Sequence, residues 1–300
     1  MMSKFKDIKN NFTLEDKYLP IGDIKVIKDL KVIKDLKNAI KENNIVVTCM
    51  GLYNHGKSTL LNVLVKDFKH ETFKTADVRE TSTNKTVQHG NIKFVDTPGL
   101  NAKKNDDKRV MDAIKESDIN LFVHTVTTGE FVEKEIEFLN NVKKHWENPE
   151  QFIERTIFVV SRVDKANSEQ DIANTVEKMS QQIKEIFNST PTIISVSAIR
   201  YTKGQVENKN LMVKKSNIEV LEKSLKNLSD ELSNSIQETR KIRLKNKYDE
   251  IIRRLNSKVQ TNKLEISKQK KAQEEYFIAL NSDIKQVENT LTNMYSKLGE

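Results

Sequence analysis

The stretch GLYNHGKST, Gly51 to Thr59, has the residue types and the spacing that grip a polyphosphate, G-x-x-x-x-G-K-[ST]. Gly51 and Gly56 let backbone N–H groups curl around a β-phosphate with no Cβ in the way. Lys57 reaches the β/γ oxygens, Ser58 offers a hydroxyl to Mg²⁺, and Thr59 completes the run that lines the nucleotide. The residues around the motif supply the strand–loop–helix context it needs. Ile45-Val46-Val47-Thr48-Cys49 reads as a buried strand, and Leu60-Leu61-Asn62-Val63-Leu64 as the start of a helix whose positive end faces the phosphates.

Val95-Asp96-Thr97-Pro98-Gly99 closes a second strand. Asp96 is placed to hold Mg²⁺ through water, and the Gly99 N–H to bond a γ-phosphate. The polar segment Arg79-Glu80-Thr81-Ser82-Thr83 lies between the two motifs, and one threonine there should close over Mg²⁺ in the triphosphate state. Thr83 is the expected ligand, with Thr81 the alternative.

GLYNHGKSTLLNVL and DTPGL together resemble the translation-factor-related P-loop GTPases, and residues 45–200 are similar to bacterial dynamin-like proteins and to the Era/TrmE/YfjP group. The resemblance implies binding of GTP and GDP with Mg²⁺. It also implies a base-reading pattern Asn-Lys-x-Asp, for which this chain has Ser161-Arg162-Val163-Asp164. Asp164 would accept the guanine N1–H and amino hydrogens, which adenine lacks at those places. The stem of Arg162 would lie over the base. Serine in place of asparagine removes an amide that braces the loop, so weaker affinity with guanine preference retained is expected. Ser197-Ala198-Ile199 resembles the motif whose backbone N–H reads guanine O6.

Catalysis departs from the small signalling GTPases, because Leu100 stands where a glutamine would orient water. In the TrmE-like group an asparagine at the position of Asn54 binds K⁺, and such a cation would neutralise developing charge. The other reading of Asn54 is tolerance of an unusual loop backbone angle. Tyr53 matches a position near the partner G domain in dynamin-like proteins, and His55 is expected as a solvated loop residue among those lining the nucleotide. Arg79 reads either as a cis-acting arginine or as a solvated charge, and His124 as a packed histidine inside an apolar strand. The expected catalytic set is Lys57, Thr83, Asn54 and Gly99.

These residues need a scaffold, and the chain supplies alternating strand and helix signals from Ile45 to Arg200. Strands are predicted at Ile45–Met50, Thr86–His89, Ile92–Asp96, Ile119–Val126, Thr156–Ser161 and Thr192–Val196. Helices are predicted at Lys57–Lys66, Asp106–Glu116, Glu130–Lys144 and Glu169–Phe187. The pattern predicts an α/β P-loop fold, a mostly parallel sheet with helices on both faces. Six of eight glycines and all four prolines precede residue 200, so the rest is helix-compatible. Ile218, Leu221, Leu225, Leu228 and Leu232 step by heptad spacing, as does a run from Phe277 to Leu298. Ser233–Lys241 and Gln260–Gln273 read as turns or as polar turns of longer helices. The expected division is a helical arm over 1–43, carrying a tandem KVIKDL repeat, a GTPase domain over 44–204, and a helical stalk over 205–300 that bundles with the arm.

The single cysteine, Cys49, excludes an internal disulfide and reads as packing. The first ten residues hold no signal-peptide core, and no apolar run spans a membrane, so the expected location is cytoplasmic, with peripheral contact at the inner membrane face as an extension. From Arg240 to Lys271 there are 12 Lys+Arg against 3 Asp+Glu, enough to account for the chain's net charge of +8. This run reads as a solvated helix face, or as a surface for anionic lipid or nucleic acid. Its one aromatic, Tyr248, offers little platform for base stacking, which favours membrane or protein partners over RNA. The first expectation is therefore a dynamin-like GTPase that self-associates through its stalk. The second is an Era-type switch on ribosomal RNA or a protein partner, and the third a nucleotide-binding interaction protein with little turnover.

Overall fold

The computed structural model describes residues 44–73, 85–100, 106–146 and 148–297, with Lys34 and Asn38. The repeat-bearing arm, Arg79, Thr81, Thr83 and Leu298 lie outside the described residues.

Six strands form one sheet. They are β1 (Ile45–Met50), β2 (Lys85–His89), β3 (Ile92–Asp96), β4 (Ile119–Thr125), β5 (Thr156–Ser161) and β6 (Thr192–Ser195). The spatial order is β2-β3-β1-β4-β5-β6. All pairings are parallel except β2 with β3, which run antiparallel. That hairpin turns at Gly90, whose φ of 61° suits the expected His89-Gly90-Asn91 turn. The chain order reverses on either side of β1, so a crevice opens at its carboxyl end, the usual ligand position in such sheets.

The helices are α1 (Lys57–Leu64), α2 (Asp106–Glu116), α3 (Glu133–His145), α4 (Pro149–Glu154), α5 (Glu169–Phe187), α6 (Ala198–Val206), α7 (Asn210–Lys215) and α8 (Ile218–Lys297). Two short 3₁₀ turns, Val126–Thr128 and Val163–Lys165, follow β4 and β5. Strand alternation divides the core. Leu121, Val123, Ile157 and Val159 face one apolar cluster with Leu60 and Leu61, whereas Phe122, Phe158 and Val160 face another with Ile114, Leu139 and Ile183. Each such side chain, fully buried, stabilises by roughly 1.5–3 kcal/mol. Cys49 is buried in the first cluster, as its packing role requires. Caps set the ends of α5: the Ser168 hydroxyl accepts the Asp171 N–H at 3.1 Å, and Asn188 ends the helix in a left-handed conformation.

Contacts divide the chain into two compact units, one ending at Lys241 and one taking α8 from Ile242 onward. The first seam behaves differently from the expected bundle. Ile218, Leu221, Leu225 and Ile236 join the core cluster under the sheet, with Leu228 and Leu232 packed against it. The polar stretches at 233–241 and 260–273 are continuous helix within the 80 residues of α8. Their side chains are polar because they face solvent over most of their length, not because the helix stops.

Arg240 is removed from the basic run by its burial. It is 5% exposed and pairs with Asp118, which is fully buried. Its Nε donates to Asp118 Oδ1 at 3.2 Å and one terminal nitrogen to the Asn44 carbonyl at 2.5 Å. Asp118 also accepts the Val46 N–H at 2.9 Å, so one carboxylate joins the start of β1 to α8. Removing one member of a buried pair strands the other charge, at about 3–5 kcal/mol. Arg240→Ala should therefore lower the unfolding free energy by about that amount, read as a lower urea midpoint, while the double change Arg240→Met with Asp118→Leu should recover much of it. A midpoint for Arg240→Ala equal to that of the unaltered protein would show that the pair contributes nothing.

Candidate functional site

The loop between β1 and α1 is held by backbone contacts that only its glycines permit. Gly51 has φ of 142°, and a Cβ built there lies 2.1 Å from the Val123 carbonyl oxygen. A Cβ at Gly99 would meet the Tyr53 Cα at 2.7 Å. The Leu100 N–H donates to the Gly51 carbonyl at 3.1 Å, and the Thr97 hydroxyl to the Cys49 carbonyl at 2.7 Å. The end of β3 is thus tied to the end of β1, and Gly99 is brought against the loop.

Inside the loop Lys57 is buried, its ammonium donating to the carbonyls of Gly51 at 3.1 Å and Leu52 at 2.9 Å. Burial lowers its pKa, against the raising influence of Asp96, Cys49 and Glu135. The Ser58 hydroxyl donates to Asp96 Oδ2 at 2.8 Å. Asp96 is buried, which raises its pKa, and its other oxygen, Oδ1, has no hydrogen-bond partner. An orphaned buried carboxylate oxygen beside a hydroxyl fits a hard cation that takes oxygen ligands, so Ser58 and Asp96 could hold Mg²⁺. A buried ammonium beside a helix that starts at Gly56, φ 88°, fits a polyphosphate. Thr59 lies in the first turn of α1.

Three further segments converge on the loop from β5 and β6. The Ser161 hydroxyl donates to the His55 carbonyl at 2.6 Å. The expected loss of bracing is therefore made good: the shorter side chain still reaches the loop backbone. Arg162 takes φ of 58°, and its guanidinium donates to Asn54 Oδ1 at 3.1 Å. Asn54 has φ of 63°, so it does serve as a residue tolerant of that backbone angle. Asp164 accepts a hydrogen bond of 2.5 Å from the Ser197 hydroxyl, which itself accepts the Arg200 N–H at the start of α6, where Ala198 is the first residue. Val163 N–H to the Val196 carbonyl, 3.3 Å, joins the two segments. These bonds tie the loop at Asn54 and His55 to Ser161 and Arg162, and Asp164 in turn to Ser197.

His55 departs from expectation. It is not solvated but 6% exposed, while its neighbours Tyr53 and Asn54 are exposed. Its ring meets that of His124 edge-on at 5.3 Å, and its Nδ1 lies 3.4 Å from Glu135 Oε1. His124 is packed as expected, and it also faces both Glu135 oxygens at 3.0 Å. Burial pushes the Glu135 carboxyl up, but its hydrogen bonding with His124 and the nearness of the His55 imidazole outweigh this and lower its pKa. Sequence reasoning missed Glu135. The only signal available was its place one turn into a helix that follows a strand carrying His124.

Sheet order, phosphate loop and Mg²⁺-compatible pair are those of a P-loop nucleotide-binding domain. Residues 46–161 match the family model described as 50S ribosome-binding GTPase. Over 182 residues the chain is 31% identical to an uncharacterised protein of Acinetobacter baylyi, covering 60% of this chain and 41% of that protein. The chain thus spans about two fifths of the length of the curated relative it matches. Among solved structures, the LeoA bacterial dynamin GTPase from ETEC is 15% identical with a TM-score of 0.54, covering 83% of this chain and 46% of that one. Era in complex with a GTP analogue and 16S ribosomal RNA is 21% identical with a TM-score of 0.42, covering 56% of this chain and 55% of that one. These likenesses concern the fold.

The bond from Ser161 to the loop contributes about 1 kcal/mol, a typical net hydrogen bond. Ser161→Ala should weaken GDP binding by about fivefold in titration calorimetry, with the fold unchanged by circular dichroism. Unaltered affinity would mean that the loop needs no brace from β5.

Proposed function

We propose that the chain hydrolyses GTP as a dynamin-like mechanochemical GTPase, its nucleotide state coupled to self-association through α8. The observation that carries the enzymatic half is the buried Lys57 beside the Ser58–Asp96 pair. Lys57 would turn from the loop carbonyls to the β/γ oxygens, and the Gly99 N–H would bond the γ-phosphate. Asp164, Arg162, Ser197 and Ala198 would read guanine. Mg²⁺ on Ser58 and Asp96, completed by Thr83, would supply charge neutralisation at the transferring phosphoryl. Leu100 cannot orient water, so activation would come either from K⁺ at Asn54 or from a partner copy across Tyr53, which is 46% exposed.

The self-association half is supported by the distal part of α8. Phe277, Leu280, Ile284, Val287, Leu291 and Met294 step at heptad spacing and are all exposed. An exposed apolar seam of that period suits a helical partner. Similarity in fold to the LeoA bacterial dynamin GTPase covers 83% of this chain, more than the GTPase domain alone. No helix among the described residues is long and apolar enough to cross a membrane, so lipid contact would be peripheral, through the basic run after Arg240.

The basic run also supports a second reading, a GTP switch on ribosomal RNA, together with the description of the matching family as ribosome-binding. Salt-dependent pelleting with ribosomes against anionic liposomes separates the two.

The decisive test is phosphate release with GTP or ATP and Mg²⁺, in K⁺ and in Na⁺, beside Lys57→Ala. GTP-specific turnover that Lys57→Ala abolishes is expected. Stimulation by K⁺ would assign activation to Asn54, and a specific activity that rises with protein concentration would assign it to a partner copy. Tight GTP binding without turnover in either salt would overturn the enzyme reading in favour of a binding switch.

A further inference from the structure

Behind the phosphate loop, three buried side chains converge. His55 comes from the loop, His124 from the end of β4, and Glu135 from the first turn of α3. One ligand atom from each lies within 4.8 Å of the other two. The hydrogen bonds fix which lone pairs point inward. His124 Nε2 lies 2.8 Å from the Gly129 carbonyl and 3.1 Å from the Thr128 hydroxyl. A carbonyl can only accept, and the Thr128 proton is already donated to the Thr125 carbonyl at 3.0 Å. Nε2 therefore carries the ring's N–H, and in the neutral imidazole Nδ1 presents a lone pair.

That lone pair faces both Glu135 oxygens at 3.0 Å. His55 Nδ1 lies 3.4 Å from Glu135 Oε1 and, though buried, has no hydrogen-bond partner. The His124 lone pair, the Glu135 carboxylate and the unpartnered His55 nitrogen thus face one another away from water, an arrangement that a positive species between them would stabilise. The arrangement also has the outer support of a metal site: a ligating histidine whose other N–H is held by a backbone carbonyl. Glu135 is likewise oriented, accepting the Val132 N–H at 3.2 Å. Two imidazoles and a carboxylate form a borderline donor set that suits zinc and its neighbours in the first transition row over Mg²⁺ or Ca²⁺.

We propose that His55, His124 and Glu135 bind a divalent transition-metal ion of the zinc class, distinct from the Mg²⁺ position at Ser58 and Asp96. Bonds of about 2.0–2.1 Å require ligand atoms roughly 3.4 Å apart, so modest rotation of the His55 ring completes the set. The ion would tie the phosphate loop to β4 and α3 at the residue next to Gly56. Loop rigidity, and with it nucleotide affinity, would then depend on metal supply.

The test is metal binding, independent of GTP hydrolysis. Full-length protein stripped with a chelator is titrated with Co²⁺, and zinc-loaded protein is analysed by X-ray absorption. One equivalent should bind, with the visible bands of a four-coordinate ion and first-shell scattering from nitrogen and oxygen at about 2.0 Å that includes two imidazole rings. His55→Asn and Glu135→Gln should each lose at least about tenfold in affinity. The chain has five histidines, so weak uptake elsewhere is a real alternative. Affinity unchanged in both variants, a sulfur-containing shell, or no stoichiometric uptake would overturn the proposal and leave a proton as the species between His124 and Glu135. The absorption measurement on unaltered protein decides the matter even if a variant fails to fold.

Discussion

The constraint on which this structure depends is a buried ammonium. Lys57 cannot take its charge into the interior without oxygen partners, since desolvation of an unpaired cation costs several kcal/mol even after relaxation. The loop answers by turning two carbonyls, Gly51 and Leu52, onto the ammonium. Each carbonyl turned inward leaves the N–H of the same peptide unit, at Leu52 and at Tyr53, pointing the other way. The anion-binding property of the loop is thus the other face of its solution for the lysine. Every neighbour that fixes the loop, from Val123 beside Gly51 to Tyr53 beside Gly99, serves that arrangement.

Rigidity at the loop comes from sheet register. β1 pairs with β3 through Cys49 opposite Asp96 and with β4 through Met50 opposite Phe122, so the ends of β1 and β3 arrive together against the middle of β4. Asp96 reaches Ser58 because the pairing of β1 and β3 places it one residue short of the loop. At the opposite end of β1, Asp118 bonds the Val46 N–H and Arg240. The first part of α8 is therefore bonded to the same strand that carries the phosphate loop, and a shift in β1 would be felt at both ends.

Much of the fold was legible because its signals are local. Alternation of apolar residues, the glycine-lysine loop and the β-turn at Gly90 each reflect interactions within a few residues, and the strand ends agree with expectation to within a residue. What was not legible depended on long-range pairing. Nothing in the residues around Arg240 distinguishes a buried arginine from eleven other basic neighbours, because its partner, Asp118, lies 122 positions away. The seam from Ile218 to Leu232 has coiled-coil spacing but covers a sheet, since period alone specifies an apolar face and not what meets it. His55 was misread for a similar reason. A histidine in a glycine-rich loop looks solvated until β4 and α3 are brought beneath it.

Ser161 shows how a departure from a motif can keep a contact to the loop backbone. An asparagine at that position would brace the loop with an amide; here a hydroxyl does so from a shorter stem, at 2.6 Å from the His55 carbonyl. The shorter side chain requires the backbone at His55 to come close to β5. On the other side of that residue, the His55 ring lies beside His124, at 5.3 Å, and away from solvent. The substitution at one motif and the buried histidine in another are, on this geometry, a single adjustment, in which main-chain bracing on one side of His55 positions its side chain on the other.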